Sequence, residues 1–102
     1  MTIHDWLSER TPTPPDRLRA RIDDALGDTV NHPASDATRV NIAAAEALLR
    51  DLLSRPSAGR ESALDLLTVD ALVTYAFESA STDPATLAAH ADDAMRRLAS
   101  LA

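Results

Sequence analysis

The sequence contains no cysteine and no lysine, only two glycines, and one residue each of tryptophan, tyrosine and phenylalanine. Without cysteine, neither a disulfide framework nor a thiol nucleophile is possible. The shortage of glycine and the absence of an alternating apolar run argue against a β-sheet. Because aromatic rings are few, the core has to be built from leucine, alanine, valine and isoleucine, which suits closely packed helices.

Motifs for phosphate binding and catalysis are also missing. Gly27 and Gly59 are the only glycines, so there is no glycine-rich loop, and no serine lies in a nucleophile elbow. A formal net charge of −6 repels phosphate, which disfavours nucleic acid and anionic lipid as partners. The first residues lack the basic start and apolar core of a signal peptide, so we expect a cytoplasmic location.

What is present predicts an all-α protein. The chain has 102 residues, of which 45% are hydrophobic, and this favours one domain with a packed core. We predict a small antiparallel four-helix bundle over residues 16–102, preceded by an N-terminal arm over residues 1–15. Apolar periodicity and capping residues predict the bundle helices over residues 15–26, ended by Gly27; 36–55, capped by Ser35; 61–80; and from Pro84, capped by Asp83, to the chain end.

The predicted arm is a short helix, with Thr2 and Asp5 as a capping box, followed by the stiff stretch TPTPP at residues 11–15. Trp6 has two interpretations. It anchors the arm to the bundle, or it belongs to a recognition motif held away on a semi-rigid spacer.

Residues 61–80 are the stretch around which the rest of the chain is expected to pack. On a helical wheel the apolar residues fall on two nearly opposite arcs: Leu66, Val69, Val73, Ala76, Phe77 and Ala80 on one, and Leu64, Ala71 and Tyr75 on the other. Two polar seams separate the arcs: Glu61, Asp65, Thr68 and Ser79 on one side, and Asp70, Thr74 and Glu78 on the other. Either the chain covers both arcs itself, or the second arc is left for a partner.

The neighbouring helix over residues 36–55 has a single apolar side formed by Ile42, Ala45, Leu48, Leu49, Leu52 and Leu53. Asn41 and Thr38 intrude on that side near the helix start. We expect them at the solvated end of the bundle, in preference to a buried hydrogen bond from Asn41 that fixes helix register.

These patterns predict a noncatalytic protein–protein interaction module that self-associates, for example as a homodimer, or serves as a subunit of a larger assembly. The candidate interaction residues are Leu64, Ala71, Tyr75 and Trp6. Asp70 is a candidate buried acid, because it interrupts an apolar run and has to be paired or protonated if it is buried. No catalytic, cofactor or metal residue is assigned.

Two alternatives come from other classes of protein. The first is a small helical regulator that contacts DNA or a DNA-bound protein through the basic cluster of Arg17, Arg19 and Arg21. The second is a carboxylate-based enzyme or metal carrier using Asp70, Glu78 or His90. The Glu-x-x-His pairs of di-metal helical bundles do not occur, which weighs against the second alternative.

Overall fold

The computed structural model describes the backbone of residues 1–55, 59–82 and 84–101, and the side chains within these ranges except those of residues 61, 84–87 and 90. This part of the chain forms five α-helices and no β-strand, which confirms the all-α prediction. The helices are α1 (Ile3–Ser8), α2 (Asp16–Leu26), α3 (Ala37–Ser54), α4 (Arg60–Ala80) and α5 (Pro84–Ala99). None of the described helices is long and apolar enough to cross a bilayer. Asp83, the predicted cap of α5, lies outside the described residues.

The start of α1 is fixed by the predicted capping box. The Thr2 hydroxyl accepts a hydrogen bond from the Asp5 amide at 3.2 Å, and the Asp5 carboxylate accepts one from the Thr2 amide at 3.1 Å. Two orphan amides of the first turn are thereby satisfied, as the sequence predicts.

The N-terminal arm is docked onto the segment that joins α2 to α3. The Ile3 amide donates to the His32 carbonyl at 2.9 Å, and the Ala34 amide donates to the Met1 carbonyl at 3.0 Å. This segment contains two short 3-10 turns at Gly27–Asn31 and Ala34–Asp36. Gly27 ends α2 as predicted, with φ of +56°, in the region that side chains other than glycine rarely adopt.

The main core brings together residues from four helices. Its buried members are Ile3, Trp6 and Leu7 of α1, Ile22 and Leu26 of α2, Ala37, Val40 and Ala45 of α3, and Leu72 of α4. A smaller cluster joins Ile42 of α3, Ala76 of α4 and Ala94 of α5, with Phe77 packed against it. The arm residues are therefore part of the same core as α2, α3 and α4.

Trp6 is the anchor of the arm, the first of its two interpretations. Its side chain is only 8% exposed. The indole meets the Tyr75 ring edge-on, with the ring centroids 6.1 Å apart, and the Arg10 guanidinium lies 4.0 Å from the indole centroid. Burial of an aromatic ring with edge-to-face and cation–π contacts stabilises the docked arm. Trp6 is thus not held out from the domain.

The interpretation of α4 as a helix with two opposite apolar arcs is wrong. Its buried residues are Asp65, Thr68, Leu72, Ala76 and Ala80, which share one broad face. That face runs through the seam predicted to be polar, and the two apolar arcs are its flanks. The other predicted seam, formed by Asp70, Thr74 and Glu78, is exposed. Leu72, omitted from both arcs, is fully buried and lies near the centre of the face.

Two expectations for α3 are also corrected. Asn41 is fully buried, not at a solvated end, and its amide nitrogen donates to the Ala37 carbonyl at 2.7 Å. This bond lies within one helix, so it does not set register between helices. The cap residue is Asp36, which makes no capping hydrogen bond through its side chain, so the prediction of Ser35 is wrong.

Candidate functional site

A buried carboxylate joins three helices. Asp65 of α4 is 5% exposed, and its two oxygens are taken by arginines from different elements. Arg21 of α2 donates through Nε to Oδ1 at 2.7 Å, and Arg55, immediately after α3, donates through Nη2 to Oδ2 at 2.8 Å. Burial raises the pKa of the Asp65 carboxyl, but the two guanidinium groups outweigh this, and the pKa lies below its ordinary value.

Each of the two arginines also lies close to a carboxylate of its own near the surface. Arg55 contacts Asp51 one turn earlier on α3, with 3.0 Å between the charged atoms, as the i, i+4 pattern of α3 allows. Arg21 lies 3.6 Å from Asp24 on α2. The network is therefore pre-organised, because each guanidinium is braced from both sides.

The network forms one wall of a cleft between α2 and α4. A cavity of about 340 Å³ is lined by Arg17, Arg21, Arg55, Leu64 and Asp65. An adjoining cavity shares Arg17, Arg21 and Leu64. Arg17 stands one turn before Arg21 on the same face of α2, and its side chain is exposed. In the described part of the chain no carboxylate pairs with Arg17.

The predicted basic cluster of α2 is thus divided between two surroundings. Arg17 and Arg21 line the cleft, whereas Arg19 donates through Nε to Asp23 at 3.1 Å and lies near the side chains of His4 and Ser8. Two of the three arginines are already committed to carboxylates, so the cluster does not present three available cations to a phosphate backbone. The alternative of a DNA-contacting regulator stays a prediction.

The four predicted interaction residues lie in two different places. Leu64 lines the arginine cleft, Trp6 is in the main core, and Ala71 and Tyr75 are half-buried and pack against that core. Burial raises the pKa of the Tyr75 hydroxyl, and the nearby Glu78 carboxylate adds to the shift. These residues do not form one exposed patch, and their part in a protein interface stays a prediction.

Asp70 is not the buried acid, because its side chain is exposed on the outer face of α4. Asp65, five positions earlier in the sequence, has that role. Glu78 is 45% exposed and lies 3.5 Å from Arg10 as an ion pair. The side chain of His90 is outside the described residues. Among the side chains that are described, no group of three histidine or acidic residues comes together at metal-binding distance.

A second ion network fastens α5 to α3. Glu46 of α3 accepts from Arg50, one turn later on the same helix, at 3.0 Å, and also from Arg97 of α5. The hydrogen bond from Arg97 is the main cause that lowers the pKa of the Glu46 carboxyl. Together with the contact between Ile42 and Ala94, this network fixes where α5 lies along α3.

Two leucines that the apolar patterns place inside are found on the surface. Leu53 of α3 is 62% exposed and Leu66 of α4 is 56% exposed. Leu53 follows Ile42 by about three helical turns on the same side of α3, and Leu66 precedes Phe77 by about three turns on the same side of α4. Both leucines thus extend the apolar sides against which α5 packs. We call them the leucine seam. Leu67 and Met95 are exposed as well.

Comparison of the chain with protein-family models, with curated proteins and with solved structures found no match in any of the three.

Proposed function

We propose that the protein is a noncatalytic, cytoplasmic interaction module that associates with a second copy of itself through the leucine seam of Leu53 and Leu66. The observation that carries this proposal is the exposure of both leucines on the side where α5 packs further along. The two opposite apolar arcs predicted for α4 do not support self-association, because the buried face of α4 lies between them.

The directions of α3, α4 and α5 explain why the leucine seam is exposed to solvent. Arg55 and Asp65 meet at one end of α3 and α4, and Ile42 and Ala76 share a cluster towards the other, which favours an antiparallel pair. Ile42 of α3 contacts Ala94 of α5, and Glu46, one turn later on α3, pairs with Arg97, about one turn later on α5. The two helices therefore run parallel to each other. With α2 also packed against α3 and α4, these directions support the proposed antiparallel four-helix bundle. Since α5 ends at Ala99, it stops short of the level of Leu53.

A second copy of the chain is the simplest partner for the leucine seam, because it requires no other complementary surface. In a dimer with two-fold symmetry, the same apolar patch serves both partners, so one seam covers the other. The patch is small, and interfaces below about 1,200 Å² are typical of weak complexes. We therefore expect a dissociation constant of micromolar order or weaker.

Charge sets the sign of the salt dependence. Each copy carries a formal net charge of −6, so two copies repel each other, and added salt screens that repulsion. Self-association through leucines is thus expected to strengthen between low and high sodium chloride. A contact that depended on complementary charges would weaken instead.

The test is sedimentation velocity over a wide range of protein concentrations, at low and at high salt. Leu66→Asn should weaken association about fivefold or more, as truncation of a central apolar contact does. Leu67→Asn is the matched control, because Leu67 is an equally exposed leucine about 100° further around α4. A protein that stays monomeric at every concentration and salt, or equal effects of the two variants, would refute the proposal.

A further inference from the structure

We propose that the cleft between α2 and α4 is a carboxylate-binding site, in which Arg17 makes the principal contact and Arg21 the second. The observation behind it is the convergence of Arg17, Arg21 and Arg55 on one cavity of about 340 Å³. It is independent of the leucine seam, which involves other residues.

Arg17 is the only one of the three cleft arginines whose guanidinium is uncommitted in the described part of the chain. Arg21 and Arg55 each donate to Asp65 and lie near a second acid. The guanidinium of Arg17 has five N–H donors in a planar fork, which matches the two oxygens of a carboxylate. Its helical spacing from Arg21 places the two cations on one face of α2, at the mouth of the cavity.

Asp65 decides which anion the cleft prefers. Its carboxylate lines the cavity and is ionised at neutral pH, so it repels a second anion while it holds Arg21 and Arg55 in position. This repulsion grows with the charge of the ligand, and the overall charge of −6 acts in the same direction. A singly charged carboxylate is consequently favoured over a phosphate dianion. Leu64 adds an apolar surface for the carbon chain that carries the carboxylate.

The carboxylate can belong to a small organic acid or to an acidic side chain of a peptide, and titrations distinguish the two sources. Amide chemical shifts of the protein would be followed by NMR against sodium butyrate, a singly charged carboxylate, against a short glutamate-containing peptide and against inorganic phosphate, at constant ionic strength. We expect saturable shifts around Arg21, Leu64 and Asp65, with dissociation constants of about millimolar order for butyrate and weaker for phosphate. Tighter binding of the peptide would identify a protein partner, and equal binding a free acid.

Variants of Arg17 supply the control. Arg17→Gln should weaken butyrate binding about five- to tenfold, and Arg17→Lys should have an intermediate effect because it keeps the charge and loses the fork. Arg96→Gln removes an exposed cation of α5 and should bind as the wild type does. Since Arg17 is exposed, these changes should leave the fold intact, which circular dichroism checks. Absence of saturation at about a hundred times the expected constant, equal binding by the Arg17→Gln variant, or tighter binding of phosphate would overturn the proposal.

Discussion

Replacing Asp65 by asparagine tests how much the buried ion network contributes to stability. The substitution keeps the shape of the side chain but removes its charge, and it turns an amide nitrogen towards at least one of two guanidinium donors. A hydrogen bond to a charged group contributes about 1.5–3 kcal/mol, so the loss of two gives an upper range of about 3–6 kcal/mol. The arginine side chains are 28% and 35% exposed and can turn towards water, Asp24 and Asp51. We therefore expect a loss of about 2–4 kcal/mol in the free energy of unfolding.

The loss is measurable by urea unfolding, followed by helical circular dichroism and by the fluorescence of Trp6. For a domain of this size it corresponds to a fall in the melting temperature of about 10–20 °C. Asp70→Asn is the matched control on the same helix, because Asp70 is exposed, and it should change stability by less than about 0.5 kcal/mol. If Asp65→Asn unfolds at the same urea concentration as the wild type, or if Asp70→Asn is equally damaging, the network does not stabilise the fold as argued.

The remaining predictions use the same unfolding assay. The folded pKa of Asp65 lies below the ordinary value of 3.8, so the unfolded chain binds the proton first as pH falls. The stability difference between the wild type and Asp65→Asn should be complete above about pH 5 and should shrink as pH falls through 3.8 towards the folded pKa; a constant difference down to about pH 2 would contradict this. Trp6→Ala should cost about 3–5 kcal/mol, whereas a cost below about 1 kcal/mol would mean that the arm is not part of the core. Gly27→Ala should cost about 1–3 kcal/mol through backbone strain alone, since a Cβ there meets nothing within 4 Å; an unchanged midpoint would show that the turn relaxes freely.

Local features of the fold follow from the sequence because their causes are local. The capping box of Thr2 and Asp5 involves residues three apart, and Gly27 ends α2 through its own backbone conformation. The pairs along α3 depend only on helical spacing. Each of these is decided by atoms within one turn of the chain.

The rotation of α4 is decided by residues distant in sequence, and here the sequence-based interpretation is wrong. The wheel treats Asp65 as a sign of solvent exposure, since an isolated buried carboxylate is unfavourable. The arginines that remove this cost come from α2 and from the end of α3. Without them the buried face cannot be located, and Asp70 is as good a candidate as Asp65.

The cleft and the leucine seam could not be predicted from the sequence for a related reason. Both depend on where one helix ends relative to another, which helical periodicity does not contain. Leu53 and Leu66 belong to regular apolar patterns, and only the position of α5 leaves them exposed. Buried Asn41 shows the same limit, because an amide in the first turns of a helix has equal reason to lie at a solvated end.

Asp65 also selects one orientation of α4 among several that would bury a similar apolar area. With apolar residues on both flanks of its buried face, α4 could turn about its own axis and bury Leu66 in place of Leu72 with little change in apolar area. Any such turn would carry the carboxylate away from Arg21 and Arg55 and leave three charges unsatisfied. By accepting hydrogen bonds from two neighbouring elements, Asp65 thus selects a single orientation of α4. The free-energy cost of the wrong orientations matters as much as the stability of the right one.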